Sequence, residues 1–181
     1  VIAVDHIGCG RSDKPAQGSF PYTLASHRDN VVSLIDSLDL NRITLIAHDW
    51  GGAIGLAAML RRRERLHRIV LLNTAAFPPP YVPWRIAACR TPVLGTAAVR
   101  GLNAFARAAI TMAMSRNKME KSVARGLLAP YNSWNNRVAI DAFVRDMPLS
   151  QSHPTFETLR QLEADLPTLA NVPSLLVWGM K

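Results

Sequence analysis

The chain has 181 residues, 49% of them hydrophobic, enough for a substantial buried core in one domain or in one domain carrying an insertion. Its two cysteines, Cys9 and Cys89, are too few and too far apart for a disulfide framework or a metal site, and they suit a reducing, cytoplasmic setting. The net charge of +8 and the run Arg61-Arg62-Arg63 invite a nucleic-acid reading, but no nucleic-acid motif accompanies them, and the run ends a predicted helix, where cations complement the helix dipole.

In chain order, Val1-Ile2-Ala3-Val4 reads as a buried strand, with no signal-peptide pattern before it. Thr23 is a candidate cap for a helix in which Leu24, Val31, Ile35 and Leu38 recur near helical spacing, giving a face to pack on a sheet. A second strand is expected over Ile43 to Ala47, a helix over Ala53 to Leu60, and a third strand over Ile69 to Leu72. This alternation implies parallel strands joined by right-handed crossovers.

Pro78-Pro79-Pro80 and Pro83 break the alternation, because proline lacks the ladder donor and stops helices. From Trp84 to about Met147 the pattern is helical only. Leu102, Phe105, Ala106, Ala109, Ile110 and Ala113 share one face, with Arg100, Asn103 and Arg107 on the opposite side. Two arginines and an asparagine interrupt Thr91 to Met114, which argues against a transmembrane segment. Pro148 and Pro154 mark the return, Thr155 to Leu169 offers a helix limited by Pro167, and Ser174 to Trp178 resumes the sheet. The expected architecture is a partial, doubly wound parallel α/β sheet with a helical cap: core over 1–78, cap over 79–154, return over 155–181. No initiating Met is present and the last strand stops as its turn begins, so the chain is read as a fragment.

The most informative segment is Ala47-His48-Asp49-Trp50-Gly51-Gly52, between the second strand and its helix. A strand reversing sharply into a helix needs small residues, and the bend exposes one side chain above the sheet. Here that side chain is Asp49. A carboxylate is ionised at neutral pH without a base, so it can attack an electrophilic carbon and form a covalent ester. The Trp50 backbone N–H and the amino end of the helix favour the developing negative charge, and the indole N–H is a further donor. The plainer alternative is that Asp49 caps the helix. A cap accounts for the aspartate but not for the strand, the small residues and the tryptophan together.

This elbow, with the upstream loop Asp5-His6-Ile7-Gly8-Cys9-Gly10-Arg11-Ser12-Asp13-Lys14-Pro15, resembles the haloalkane dehalogenase and epoxide hydrolase branch of the α/β-hydrolases. Within that branch, Leu71-Leu72-Asn73-Thr74-Ala75-Ala76-Phe77, Arg100 to Arg107 and Val177-Trp178-Gly179-Met180-Lys181 are similar to the β-lactone decarboxylases of bacterial long-chain olefin biosynthesis. The resemblance implies a partial α/β-hydrolase fold, no cofactor and no metal. It also implies a small apolar substrate, and a β-lactone synthetase as partner or fusion. It places the base His after the last strand and the acid after the strand before or after the cap. Asn73-Thr74-Ala75 fills the first of these positions without an acid, so acid and base are expected beyond Lys181.

Among the histidines present, packing or surface roles suit His27 and His67, and His6 suits holding its loop. His48 adjoins the elbow, where an orienting role fits, and His153 lies in the cap return. Asn73 can assist at a strand's carboxyl end or bond loop backbone. Phe77, Trp84, Phe105, Trp134 and Phe143 can line a pocket or simply pack. Tyr81 and Tyr131 matter to an epoxide hydrolase, whose cap tyrosines protonate the opening oxygen; Tyr131 is the better placed. Three further readings stand beside β-lactone decarboxylation. They are haloalkane dehalogenation, epoxide hydrolysis and, from a different class, a non-catalytic binding module.

Overall fold

The computed structural model describes residues 1–112, 114 and 117–179; Ala113, Met180 and Lys181, used in the sequence reading, lie outside the described residues. The chain divides into two compact units, one formed by Thr23–Tyr81 with Pro148–Lys181 and the other by Val1–Tyr22 with Val82–Met147.

The first unit holds a three-stranded parallel sheet in the order β1-β2-β3, with β1 at Ile43–Asp49, β2 at Leu66–Thr74 and β3 at Ser174–Val177. Helix α1, Leu24–Ser37, starts where expected: the Thr23 hydroxyl accepts from the Ser26 N–H at 3.2 Å. Helix α2, Trp50–Arg61, is apolar almost throughout and buries every residue from Gly52 to Met59. It packs on β1 and β2, while α1 and α8, Pro154–Asp165, pack against it. At its far end Arg62 grips the Asp36 carboxylate with Nε and Nη2, at 2.7 and 2.5 Å, tying α2 to α1. That contact holds the Asp36 carboxyl below its ordinary range. Pro167 ends α8 as expected, converting it to a 3-10 turn over Leu166–Leu169.

Leu45, Ile69, Leu71 and Leu176 point to the face that carries the helices. The opposite face presents two cross-strand rows, Ile46–Val70–Leu175 and His48–Leu72–Val177. Ile46 is 67% exposed and Leu175 57%, so this face stands open to water.

The second unit is helical: α3 at Trp84–Cys89, α4 at Leu94–Thr96 running into a π turn over Ala97–Gly101, α5 at Ala104–Met112, α6 at Lys121–Leu128 and α7 at Val138–Asp146. Its core joins Tyr22, Val138, Ala139 and Ala142, with Ile7, Cys9, Phe20 and Phe143 packed against them. Phe143 is therefore a packing residue.

Two expectations are corrected here. Val1–Val4 forms no strand, because strand character requires a hydrogen-bonded neighbour and none of the described residues supplies one. Asn103 does not sit on a solvated face. It is buried ahead of α5 in a left-handed conformation, φ 54°, and its amide donates to the Tyr131 carbonyl at 3.2 Å.

Candidate active site

The strand-to-helix junction is built on Asp49, the last residue of β1, at φ 50° and ψ −130°. This backbone region is costly for any residue with a Cβ, and non-glycine residues held there cluster at functional sites. The carboxylate makes no capping hydrogen bond to α2, which removes the plainer explanation for an aspartate at this position. Asp49 is exposed, and Trp50 opens α2, placing its N–H at the positive end of the helix dipole.

The junction is held from β2. Thr74 pairs in register with Asp49, and its hydroxyl donates to the Asp49 carbonyl at 2.5 Å. Gly52 makes that approach possible: a Cβ there would fall 1.9 Å from the Thr74 Oγ1. Gly51 faces open space, so of the two glycines the steric requirement lies at Gly52. The sequence reading missed Thr74, since a contact between parallel strands leaves no signal in linear spacing.

The other expected residues of this unit fall as follows. His48 is exposed on the sheet face opposite the helices. Asn73, at φ 34°, accepts from the Gly179 N–H at 3.0 Å, a contact that ties the ends of β2 and β3 together. Phe77 lines an apolar hollow of about 760 Å³ with Leu56, Leu71, Leu169 and Trp178. Asp49 is not part of that lining, although Thr74, which bonds its carbonyl, is. His27 is fully buried on α1, and His67 lies within β2 rather than before it. His153 caps α8, its Nδ1 accepting from the Thr155 N–H at 3.2 Å.

Within the helical unit, Phe105 is half-buried on α5, and Trp134 carries the Arg100 guanidinium 4.7 Å above its ring. The Tyr131 hydroxyl accepts from the Gly10 N–H at 3.3 Å and meets the Cys9 thiol. Burial, with Cys9 nearby, pushes its pKa up to about 12. Burial likewise raises the Cys9 thiol, which makes it a poor nucleophile, and lowers His6 against the opposing pull of Asp5. Tyr81 is largely exposed.

The model of the alpha/beta hydrolase fold matches residues 1–181, and the chain belongs to that family. It is 42% identical over 99% of its length to the cis-3-alkyl-4-alkyloxetan-2-one decarboxylase of Shewanella oneidensis, and 40% identical over 99% to that of Xanthomonas campestris. It is 31% identical over 89% to a haloalkane dehalogenase of Mycolicibacterium paratuberculosis. The chain spans 58%, 63% and 52% of the lengths of these three proteins. Among solved structures, an ancestral haloalkane dehalogenase superposes with a TM-score of 0.83 at 25% identity, covering 97% of this chain and 62% of that one. A variant of the dehalogenase DatA from Agrobacterium tumefaciens gives 0.81 at 26%, covering 95% and 60%. The relatives are enzymes, and the fold expected from the sequence is the fold found.

Proposed function

We propose that this chain carries the nucleophile of an enzyme that opens and decarboxylates a β-lactone bearing two alkyl chains, giving an alkene and carbon dioxide. The observation behind this is Asp49, held at φ 50° and ψ −130° with no capping bond. The similarity to two decarboxylases of that substrate class supports the choice of reaction.

The Asp49 carboxylate attacks the ring carbon bearing the lactone oxygen. That carbon–oxygen bond breaks, leaving an aspartyl ester and a free carboxylate two carbons away. Loss of carbon dioxide from the carboxylate forms the carbon–carbon double bond and expels Asp49 with its electron pair. Atoms balance without water. The Trp50 N–H and the amino end of α2 stabilise the negative charge that moves between the two carboxylates.

Haloalkane dehalogenation is the second reading, supported by the dehalogenase relative and by Trp50 beside the nucleophile as a donor to the departing halide. That cycle must hydrolyse the aspartyl ester, with a His and an acid that the sequence reading places after Lys181. The epoxide hydrolase reading is weaker: the Tyr131 hydroxyl is engaged by Gly10 and Cys9.

Turnover in ¹⁸O-water by a full-length enzyme carrying this sequence separates these readings. Alkene from a cis-β-lactone, with no label entering Asp49, is the expected result, and Asp49→Asn abolishes it. Bromide release from a bromoalkane faster than alkene formation, with ¹⁸O in the Asp49 carboxylate, would reverse the ranking.

A further inference from the structure

The register of the sheet breaks where it meets the candidate nucleophile. His48 pairs with Leu72, yet the next residue, Asp49, pairs with Thr74, so Asn73 stands as one extra residue in β2. Its φ of 34° marks the bulge, and its side-chain oxygen accepts from the Gly179 N–H beyond β3. In an unbroken pleat Asn73 would stand opposite Asp49. The extra residue puts Thr74 there instead, with its hydroxyl on the Asp49 carbonyl.

Two features therefore serve one hydrogen bond. The bulge delivers Thr74 to this position, and Gly52 on α2 leaves room for its side chain, since a Cβ there would also fall 2.7 Å from the Thr74 Cβ and Cγ2. A β-branched side chain has few χ1 choices, so the direction of the hydroxyl is set. A contact that only closed the sheet would need neither the extra residue nor the space at Gly52, because β1 and β2 are already paired from Ile43 to His48.

What the bond controls follows from the peptide group it touches. The Asp49 carbonyl and the Trp50 N–H are the two ends of one planar, trans peptide unit, in which they point in opposite directions. Fixing the carbonyl toward Thr74 therefore fixes the Trp50 N–H away from Thr74. A donor on the carbonyl also polarises the unit and strengthens the N–H at its other end. The Asp49 side chain makes no capping bond to α2, so it does not set that plane itself.

We propose that Thr74 is a positioning residue: through the Asp49 carbonyl it aims the Trp50 N–H at the place where negative charge gathers during turnover. The proposal rests on the reaction assigned to Asp49, and it gives a β2 side chain the task of orienting the backbone donor which that reaction uses.

The test is made on a full-length enzyme carrying this sequence, labelled with ¹³C at the aspartate carbonyls and ¹⁵N at the tryptophans. Asp49–Trp50 is the single Asp–Trp pair in this sequence, so the double label reports on one peptide unit. Thr74→Val removes the donor. It should move the Asp49 carbonyl signal upfield, shift the Trp50 amide proton, and lower kcat about ten- to a hundredfold with KM little changed. Thr74→Ser keeps the hydroxyl and should return both signals and most of the rate. Thr74→Ala, which relieves the contact with Gly52, takes the place of the valine variant if that one does not fold. A role confined to holding the sheet would lower the melting temperature and leave kcat of the folded enzyme at the wild-type value. That result would overturn the proposal, and so would a Trp50 amide signal unmoved by loss of the hydroxyl. Both signals are read without substrate. A wild-type enzyme that made no alkene would thus sink the proposed reaction, while the Asp49 and Trp50 shifts still decided whether Thr74 sets the peptide.

Discussion

Asp49 combines a strained backbone with a carboxylate released from capping. If the strain serves the chemistry, removing it should separate stability from activity. Asp49→Gly relaxes the positive φ and should stabilise the chain by about 1 kcal/mol in urea unfolding while abolishing turnover. A destabilised variant would mean that the carboxylate holds the turn together. The two neighbouring glycines should respond in opposite directions. Gly52→Ala drives a methyl group into Thr74 and should cost about 1–3 kcal/mol. Gly51→Ala meets open space within a helix and should be neutral or stabilising by about 0.5–1 kcal/mol. Equal effects at both sites would refute the assignment of the close approach to Gly52.

At the scale of elements, Tyr131 joins the 3-10 turn Ala129–Tyr131 to the loop containing Gly10 and Cys9. Its phenol titrates near 10 when unfolded and is pushed up to about 12 in the fold. Between those values the unfolded chain has lost a proton that the folded chain keeps, so stability should fall as pH rises through the window. Tyr131→Phe should flatten that part of the pH–stability profile, and an unchanged slope would mean that the phenol does not lose contact with water. Elements were also where the sequence was most and least legible. The start of α1, the elbow and the end of α8 announce themselves through Thr23, the small residues around Asp49, and Pro167, because caps and breakers act over three or four residues. Thr74 and the burial of Asn103 depend on partners 25 and 28 residues away, and no local pattern carries them. His153 was readable in principle. A polar residue followed by Pro154 at the first helical position is a cap signature.

Taken as a whole, the molecule exposes Ile46 and Leu175, with half-buried Val70 between them in one cross-strand row, on a sheet whose other face carries helices. An open apolar face beside outer strands β1 and β3, each paired on one side only among the described residues, favours association with further copies. The chain should therefore sediment as oligomers at micromolar concentration. Ile46→Lys, which places a charge in the middle of the row, should shift it toward the monomer. A monomeric wild-type chain in analytical ultracentrifugation would show that this face is not adhesive.

Strands β2 and β3 are hydrogen-bonded neighbours, although α3 to α8 all lie between them in sequence. Their pairing closes a long loop, and the entropy of closing such a loop grows only with the logarithm of its length, about 0.6 kcal/mol for each doubling. Changes in the length of the helical insert therefore weigh little on the sheet. Evolution, or an engineer, can lengthen or shorten the segment between β2 and β3 while the strand-to-helix turn that holds Asp49 keeps its geometry.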